Sequence, residues 1–402
     1  MPEPVLNVLL HGEAIGTLTP LGGDRILFAF NDDYIESPRR PTLSLSFRDE
    51  LGGLLLDQRP TRRRAPTFFA NLLPEGHLRT FLAARAGVNE TRDFPLLRAL
   101  GGDLPGAIRI VPAEADVVPQ TDEHVDAVPA GALRFSLAGV QLKLSALEAA
   151  AGGLTIPAHG AGGDWILKLP SRVYERVPEN EHAMMTLAAR LGIETPEVRL
   201  VDTGQVRGLP PDLGDFDGNA LAVKRFDRDA SGPVHIEDFA QVFRVFPERK
   251  YERASYRDIA QVLWNEIGEE AIDQFMRRLT FSALIGNADM HLKNWSLVYP
   301  DRVSPALSPA YDLISTIAYL PDETMALRLG RSRRWRDLTL DQIRWFAART
   351  AVPERLAVRV VTETVARFRD IWSAESRHLG LSAAGTKAID RHIDLLPVAH
   401  EK

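Results

Sequence analysis

The spacing of apolar residues changes near His235, and this change restricts the folds that the chain can adopt. Before His235, most apolar residues occur in short β-favouring runs separated by glycine, proline and asparagine, a pattern typical of sheets. After it, they recur at intervals of three and four residues through long segments, as on one face of a helix. The sequence therefore predicts an α+β protein with a sheet-rich first half and a helical second half.

Residues 1–111 predict a small β-rich subdomain with short helices. Its strand patterns lie at residues 5–10, 15–19, 25–30, 42–47 and 107–111, and its helix patterns at 66–87 and 94–100. Pro74 is expected to break the first of these helices. Residues 112–131 are rich in Pro, Asp, Glu and Val without a helical period, so they predict a linker.

Two lobes are predicted beyond the linker. Residues 132–234 predict a sheet lobe with one inserted helix at 178–192 and strands at 133–137, 141–147, 164–169, 197–202 and 220–226. Residues 235–402 predict a helical lobe. It contains a strand–turn–strand at 295–307 and helices at 237–246, 256–267, 269–285, 340–350, 353–375 and 383–397.

The composition restricts the class of protein further. The 402 residues are 45% hydrophobic and 25% charged, which is typical of a chain that buries sizeable cores. A net charge of -6 argues against a protein that coats nucleic acid by itself, because that function needs a basic face. The absence of cysteine excludes disulfides and cysteine-ligated zinc. No apolar run approaches a membrane span, so the sequence predicts a cytoplasmic protein without membrane contact.

A short segment at the entrance to the helical lobe concentrates polar side chains. It carries Asn287, Asp289, His291, Lys293 and Asn294 between a helix pattern and a strand pattern. Protein kinases have an Asp on the catalytic loop that orients the acceptor hydroxyl, and an Asn five positions later that binds magnesium. Asp289 and Asn294 have this spacing. The segment therefore predicts the catalytic loop of a phosphoryl-transfer enzyme.

Other residues supply the further groups that phosphoryl transfer requires. Asp312 follows the predicted strand–turn–strand, and a hairpin there would bring it back beside Asp289. Lys168 lies on an apolar strand, where an unpaired ammonium group is costly, so it requires anions that Glu181 and a phosphate would supply. The alternative is a lysine at a strand end whose ammonium group reaches water. Residues 136–141 form a small-residue turn between two predicted strands and precede Lys168, as a phosphate-covering turn does.

Each residue of the polar segment, taken alone, also allows a structural role. Asp289 fits a helix cap, Asn294 fits a turn, and His291 fits a buried histidine bonded to the backbone. A metal hydrolase is a further alternative, but the chain lacks His-Glu-x-x-His, and these three residues make a poor zinc site. Magnesium held jointly with nucleotide phosphates suits them better.

These motifs belong to a longer series in a fixed order. It includes Phe-Ser-Leu-Ala-Gly-Val-Gln-Leu-Lys at 135–143, Ile-Leu-Lys-Leu-Pro at 166–170, Leu-Ala-Val-Lys-Arg-Phe-Asp-Arg at 221–228 and Pro-Ala-Tyr-Asp-Leu-Ile at 309–314. Phe-Phe-Ala-Asn-Leu-Leu-Pro-Glu-Gly at 68–76 and Gly-Asp-Leu-Pro-Gly-Ala at 102–107 extend the series into the first subdomain. In these segments the chain resembles the HipA family, the serine/threonine kinase toxins of bacterial type II toxin–antitoxin systems.

This resemblance implies a fold and a set of reacting groups. The fold is two-lobed and protein-kinase-like, with a β-rich N-lobe, an all-α C-lobe and the small N-terminal β-rich subdomain, and its ligands are ATP and Mg2+. Asp289 would be the catalytic base, and Asn294 and Asp312 would be the metal ligands. Lys168, in an ion pair with Glu181, would hold the nucleotide phosphates.

The resemblance also implies further nucleotide contacts and a regulatory site. The nucleotide contacts would come from three features. These are a phosphate-binding turn with Ala138, Gly139 and Val140, an adenine hinge with Lys224 and Phe226, and the aromatic side chains of His291 and Tyr311. Ser136 matches the family's autophosphorylated serine. A phosphate there would eject the turn by its charge and size, so that the enzyme silences itself.

Partners and substrates follow from the same resemblance. A small helix-turn-helix antitoxin, HipB, binds the kinase and the operator DNA, and the complex represses its own operon. Family substrates include aminoacyl-tRNA synthetases, among them glutamyl-tRNA synthetase, whose phosphorylation stops translation, arrests growth and promotes persistence. Two alternatives stay open, namely a small-molecule kinase for an antibiotic or a sugar and a catalytically idle subunit that holds an antitoxin on its operator.

Overall fold

The computed structural model describes residues 4–113, 142–148, 154–156, 162–209, 213–214, 216–320 and 324–401. Most of the predicted linker and the predicted strand at 133–137 lie outside the described residues. The predicted phosphate-covering turn lies outside them too, with Ser136, Ala138, Gly139 and Val140. In the described ranges, no helix has the length and apolar character that crossing a membrane requires.

The N-terminal subdomain is an antiparallel sheet covered by short helices. Its strands, in the order β4-β3-β2-β1-β5, are β1 (Leu6–Leu10), β2 (Glu13–Leu21), β3 (Arg25–Phe30), β4 (Thr61–Arg62) and β5 (Ile108–Pro112). Its helices are α1 (Asp32–Glu36), α2 (Thr67–Asn71), α3 (Gly76–Arg85) and α4 (Asp93–Leu100). The gap between α2 and α3 confirms the predicted break at Pro74. Phe28 of β3 packs on Phe69 of α2, with ring centroids 4.8 Å apart, and this contact fixes α2 on the sheet.

The segment predicted as a strand at 42–47 is not a strand. Its last residues form a short 3-10 helix, Leu45–Phe47, whose first turn Ser44 caps by accepting a backbone N–H at 3.0 Å. The Leu45 backbone N–H donates to the buried carboxylate of Glu237 at 2.9 Å. The prediction was wrong because a distant buried acid determines this backbone, and the apolar pattern of the segment does not report such contacts.

In the residues that the structure describes, the N-lobe is a five-stranded sheet with one long helix. Its strands, in the order β7-β6-β8-β10-β9, are β6 (Lys143–Glu148), β7 (Leu154–Thr155), β8 (Trp165–Lys168), β9 (Val198–Asp202) and β10 (Asn219–Lys224). Helix α5 (Val177–Arg190) confirms the predicted helix, with Pro178 in its first turn. Antiparallel pairing places Lys143 of β6 opposite Lys168 of β8. A hairpin of β11 (Arg228–Asp229) and β12 (Gly232–Pro233) leads to the C-lobe.

The C-lobe is mainly helical and also contains a small sheet. The strands of the sheet are β13 (His235–Asp238), β14 (Ser296–Tyr299) and β15 (Ala306–Leu307), and the antiparallel pair of β14 and β15 confirms the predicted strand–turn–strand. The helices are α6 (Phe239–Val242), α7 (Tyr256–Glu266), α8 (Glu269–Leu284), α9 (Leu340–Thr350), α10 (Glu354–Glu375) and α11 (Ala383–Leu395).

The helix predicted at 237–246 is shorter than expected at both ends, since α6 covers only Phe239–Val242. Glu237 and Asp238 lie in β13, and α6 starts at Phe239 because Asp238 and Gln241 form a reciprocal capping box. The Asp-x-x-Gln spacing that makes this box is visible in the sequence, so the start of the helix was predictable from it. Strand β13 is one of three short strands in the described part of the C-lobe, which the resemblance implied to be all-α.

Buried polar side chains join the N-terminal subdomain to the C-lobe. The ring of His235 bonds to the Leu43 backbone O at 2.8 Å, and burial lowers the pKa of His235 to about 4, so the ring is neutral at pH 7. Glu237 accepts hydrogen bonds from the hydroxyls of Ser44 and Tyr299. Burial raises the pKa of Glu237 to about 7 in spite of these donors.

Candidate active site

A tight turn carries the chain from α8 into residues 287–294, which we call the polar loop. Gly286 has φ +61, and a Cβ there would lie 2.5 Å from the Ile317 side chain, so the position requires glycine. Asn287 Oδ1 accepts the Asp289 backbone N–H at 3.0 Å. Asn294 Nδ2 donates to the Asp289 backbone O at 2.7 Å. These side-chain bonds fold the polar loop around Asp289.

Asp289 presents an accessible carboxylate, with 47% of its side chain exposed. The Tyr251 hydroxyl donates a hydrogen bond to Asp289 Oδ1, and His291 Nε2 lies 3.7 Å from the same oxygen. Burial lowers the pKa of His291 to about 4, although the carboxylate favours the charged ring, so His291 is neutral at pH 7. Asp289 therefore has the exposure and the hydrogen-bonding partners that a general base requires.

Two lysines connect the polar loop to the N-terminal subdomain. Lys293 Nζ donates to the Asn71 backbone O at 2.8 Å and lies 3.2 Å from Glu75 Oε1. Lys250 Nζ donates to Glu75 Oε2 at 3.0 Å. Burial disfavours the Glu75 carboxylate, but the two lysines outweigh this effect and lower its pKa. The end of α2 and the residue before α3 thus brace the polar loop.

A second group of charged side chains lies between the N-lobe and the C-lobe. Lys168 of β8 contacts the carboxylates of Glu181 on α5 and Asp312. Lys143 Nζ lies 2.8 Å from Asp312 Oδ2. Burial disfavours the charged form of Asp312, but Lys143 and Lys168 outweigh it and hold the pKa of Asp312 well below its usual range. The ammonium groups of Lys143 and Lys168 thus balance the carboxylates of Glu181 and Asp312 in a buried cluster.

Tyr311 ties the segment that carries Asp312 to the polar loop. Its hydroxyl donates to the Lys293 backbone O at 2.9 Å and accepts the Ser296 hydroxyl at 2.5 Å. Asp312 has φ +54, a left-handed conformation that residues with a Cβ rarely adopt and that clusters at functional sites. Asp289 and Asp312 are therefore held on two connected segments.

An apolar cleft opens beside this charged cluster. Lys168 and Asp312 line one part of it, and its apolar walls are Pro105, Ile166, Val223, Phe226, Ile236 and Tyr311. The rings of Phe226 and Tyr311 have centroids 5.6 Å apart. The predicted hinge residue Lys224 also lines the cleft. An apolar slot that ends in charged groups suits a planar base with attached phosphates.

Buried ion pairs fix the chain that follows β10. Arg225 Nη2 lies 2.7 Å from Asp227 Oδ2, which also accepts the Gly106 backbone N–H at 2.8 Å. Burial disfavours the Asp227 carboxylate, but Arg225 outweighs it and lowers the pKa of Asp227 to about 2. Gly106 has φ +73 and belongs to the N-terminal subdomain. Through this anchor the subdomain places Pro105 in the wall of the cleft.

Asn294 and Asp312 are the expected magnesium ligands. Both offer oxygen atoms, which magnesium prefers, and Asp312 is held in its ionised form. Asn294 uses its Nδ2 on the Asp289 backbone, which leaves Oδ1 as the ligand atom. Across the described ranges, no group of three or more His, Asp and Glu residues forms a preformed metal site. We expect these two residues to hold an ion that arrives with nucleotide phosphates.

The structure sorts the predicted site residues into two groups. Asp289, His291 and Asn294 lie on the polar loop, and His291 packs edge-on against Tyr251 with ring centroids 4.9 Å apart. We call this group the acceptor side. Lys168, Glu181 and Asp312 form the charged cluster beside the cleft, which Lys224, Phe226 and Tyr311 also line. We call this group the nucleotide side.

Three residues of the site were missed in the sequence. Lys143 carries a signal similar to that of Lys168, because it begins a strand whose next three residues are buried. Glu75 and Tyr251 carry no local signal, since they reach the polar loop from segments far away in the sequence. Only the tertiary structure reveals them.

Two family models match the chain. The model described as HipA-like C-terminal domain matches residues 135–372, and the one described as HipA N-terminal domain matches residues 6–111. Protein Y4dM of Sinorhizobium fredii is 53% identical over 407 residues, which cover 100% of this chain and 99% of Y4dM. The serine/threonine-protein kinase toxin HipA of Shewanella oneidensis is 30% identical over 308 residues, which cover 66% of each protein.

A solved structure shares the fold. A chain in the complex of S. oneidensis HipA, HipB and operator DNA matches with a TM-score of 0.74 at 24% identity, covering 98% of this chain and 96% of that one. This likeness confirms the predicted two-lobed, kinase-like fold with its N-terminal subdomain. Because a family model covers more than half of the chain, and because Y4dM matches along its full length, the chain belongs to the HipA family of kinases.

Proposed function

We propose that this protein transfers the γ-phosphoryl group of ATP, with Mg2+, to a serine or threonine hydroxyl of another protein. The observation that carries the proposal is the connection between the two sides of the site. Tyr311 bonds to the polar loop of Asp289, and the adjacent Asp312 contacts Lys168. Phosphoryl transfer requires these elements together, since a cation, metal ligands and an acceptor-orienting carboxylate must act on one phosphate.

Each side chain has one task in the proposed reaction. Lys168, held by Glu181, binds the nucleotide phosphates, while the apolar cleft takes the adenine. Asn294 and Asp312 would hold Mg2+, which neutralises charge on the phosphates when it is bound. The acceptor oxygen forms a bond to the γ-phosphorus as the bond to the β-phosphate oxygen breaks. ADP leaves, and the hydroxyl proton passes to Asp289.

A protein acceptor is favoured by the exposure of Asp289. With 47% of its side chain accessible, this carboxylate can be reached by a hydroxyl on the surface of a macromolecule. A small-molecule kinase, by contrast, encloses its substrate and excludes water from it. We propose a translation protein as the target, specifically an aminoacyl-tRNA synthetase such as glutamyl-tRNA synthetase. Its phosphorylation would arrest growth and promote persistence.

The proposed partners are a HipB-like helix-turn-helix antitoxin and, through it, operator DNA. The family membership supports this pairing, and a chain with the same fold was solved with HipB and its operator. The net charge of -6 favours DNA contacts made mainly by the antitoxin. We also propose that phosphorylation of Ser136 inactivates the kinase. The kinase would act in the cytoplasm, where translation proteins are found. The domain bounds 1–111, 112–131, 132–234 and 235–402 stay a prediction.

The test replaces the proposed base. Asp289→Asn keeps the size of the side chain but cannot accept the proton, so phosphate transfer from γ-labelled ATP to protein should fall at least about a hundredfold. Growth arrest on induction should disappear with it. Asp341→Asn is the matched control, because this aspartate has 89% of its side chain exposed on α9. Equal labelling by wild type and Asp289→Asn would exclude Asp289 as the base.

A further inference from the structure

We infer that Tyr251 is a positioning residue for Asp289: its hydroxyl holds one carboxylate oxygen so that the other can take the acceptor hydroxyl. The inference rests on the proposed kinase function. The observation behind it is the hydrogen bond that Tyr251 donates to Asp289 Oδ1.

Asp289 needs such a restraint because it is exposed. Its backbone is fixed by Asn287 and Asn294, but these bonds leave the side chain free to rotate. A carboxylate with 47% of its side chain exposed exchanges water partners and rotamers readily. A donor at Oδ1 selects one rotamer, and a reacting group that is misplaced by about 1 Å loses roughly a hundredfold in rate.

Tyr251 can act as this donor because its own segment is clamped without help from Asp289. The Arg333 guanidinium donates to the Tyr251 backbone O. The Leu292 backbone N–H donates to the Lys250 backbone O at 3.3 Å, which joins the neighbouring residue to the polar loop. The Tyr251 ring also lies edge-on to His291, with ring centroids 4.9 Å apart. The first two contacts fix the backbone of the segment, and the packing against His291 orients the phenol ring.

His291 is a weaker candidate for the same task. Its Nε2 lies 3.7 Å from Asp289 Oδ1, which is beyond hydrogen-bond distance. Tyr251 therefore supplies the directional contact, and His291 supports the phenol ring.

The test compares Tyr251→Phe with wild type in the full-length chain. Loss of the hydroxyl should lower kcat by about ten- to a hundredfold, while the KM for ATP and the melting temperature stay close to the wild-type values. The assay follows transfer from γ-labelled ATP to proteins of a bacterial lysate, with the Asp289→Asn signal subtracted as background. Tyr34→Phe is the control, because it removes a buried hydroxyl bonded to the Pro41 backbone O at 2.5 Å, within the N-terminal subdomain.

The outcomes separate this inference from the function on which it rests. A kcat for Tyr251→Phe within twofold of wild type, or above it, overturns the positioning role, and an increase would mean that the phenol blocks the acceptor. If the lower kcat of Tyr251→Phe is accompanied by a clearly lower melting temperature, the positioning role is also overturned, since the hydroxyl would then be structural. If wild type and Asp289→Asn label the lysate equally, the proposed base fails and the inference fails with it.

Discussion

The two sides of the active site are stabilised in different ways. On the nucleotide side, Lys168 and Asp312 belong to a buried cluster in which positive and negative charges balance. On the acceptor side, Asp289 is half exposed, and its contacts are hydrogen bonds from uncharged groups such as the Tyr251 hydroxyl. The first arrangement suits the proposed nucleotide, a highly charged ligand of constant shape, and the second suits the proposed protein acceptor.

This difference predicts that substitutions on the two sides change different properties. A buried charge that loses its partner is costly, so the nucleotide side couples ligand binding to the stability of the fold. An exposed carboxylate held by hydrogen bonds contributes little to stability, so the acceptor side controls turnover. Measuring stability and turnover on the same variants therefore tests whether the nucleotide side and the acceptor side differ in this way.

The largest effect is expected for Lys168→Met. It leaves Glu181 and Asp312 without their shared cation, so the free energy of unfolding should fall by about 3 kcal/mol, and ATP binding should be lost. Denaturant unfolding and calorimetric titration with ATP measure the two effects. The acceptor-side counterpart, Asp289→Asn, should abolish turnover but change stability by less than about 1 kcal/mol. Equal destabilisation by both substitutions would contradict the comparison.

The sequence predicted the two sides to different extents. On the nucleotide side, Lys168 and Glu181 could be paired because an ammonium group in an apolar strand requires an anion, and the structure places them in contact. On the acceptor side, the spacing of Asp289 and Asn294 identified the polar loop. The contacts that hold this loop come from Glu75 and Tyr251, which no periodicity or local motif connects to it.

Long-range contacts also limited the prediction of the fold from the sequence. Long helices with a strong apolar period were predicted close to their observed bounds, and α9 was predicted at its exact range of 340–350. The wrong prediction at 42–47 occurs beside Glu237, a buried acid that accepts hydrogen bonds from the Ser44 hydroxyl and the Leu45 backbone N–H. Sequence patterns report burial and turns, but they do not report such long-range polar contacts.

The next largest effect is expected for Glu237→Gln and concerns the pH dependence of stability. Burial raises its pKa from 4.5 to about 7, so between these values the unfolded chain releases a proton that the folded protein retains. The contribution of Glu237 to stability therefore declines as the pH rises through this window, by up to about 3 kcal/mol. Glu237→Gln should flatten this decline, measured by denaturant unfolding at pH 5 and pH 8. The exposed Glu354→Gln should keep the wild-type slope, and an unchanged slope in Glu237→Gln would exclude the buried acid as its cause.

The smallest effect is expected for Glu75→Gln, which removes the negative charge between Lys250 and Lys293. Because Lys293 keeps its bond to the Asn71 backbone O, stability should fall by only about 1 kcal/mol.

The main consequence of Glu75→Gln should be a several-fold lower kcat at an unchanged KM for ATP, since the polar loop loses part of its brace while the charged cluster stays intact. Glu248→Gln is the matched control, because Glu248 also joins the C-lobe to the N-terminal subdomain, through Arg64 at 2.7 Å, but does not contact the polar loop. If the two variants lower kcat equally, the N-terminal subdomain acts on the whole lobe and not on the acceptor side. If Glu75→Gln instead raises the KM for ATP, the two sides of the site are coupled, and the separation between stability and turnover does not hold.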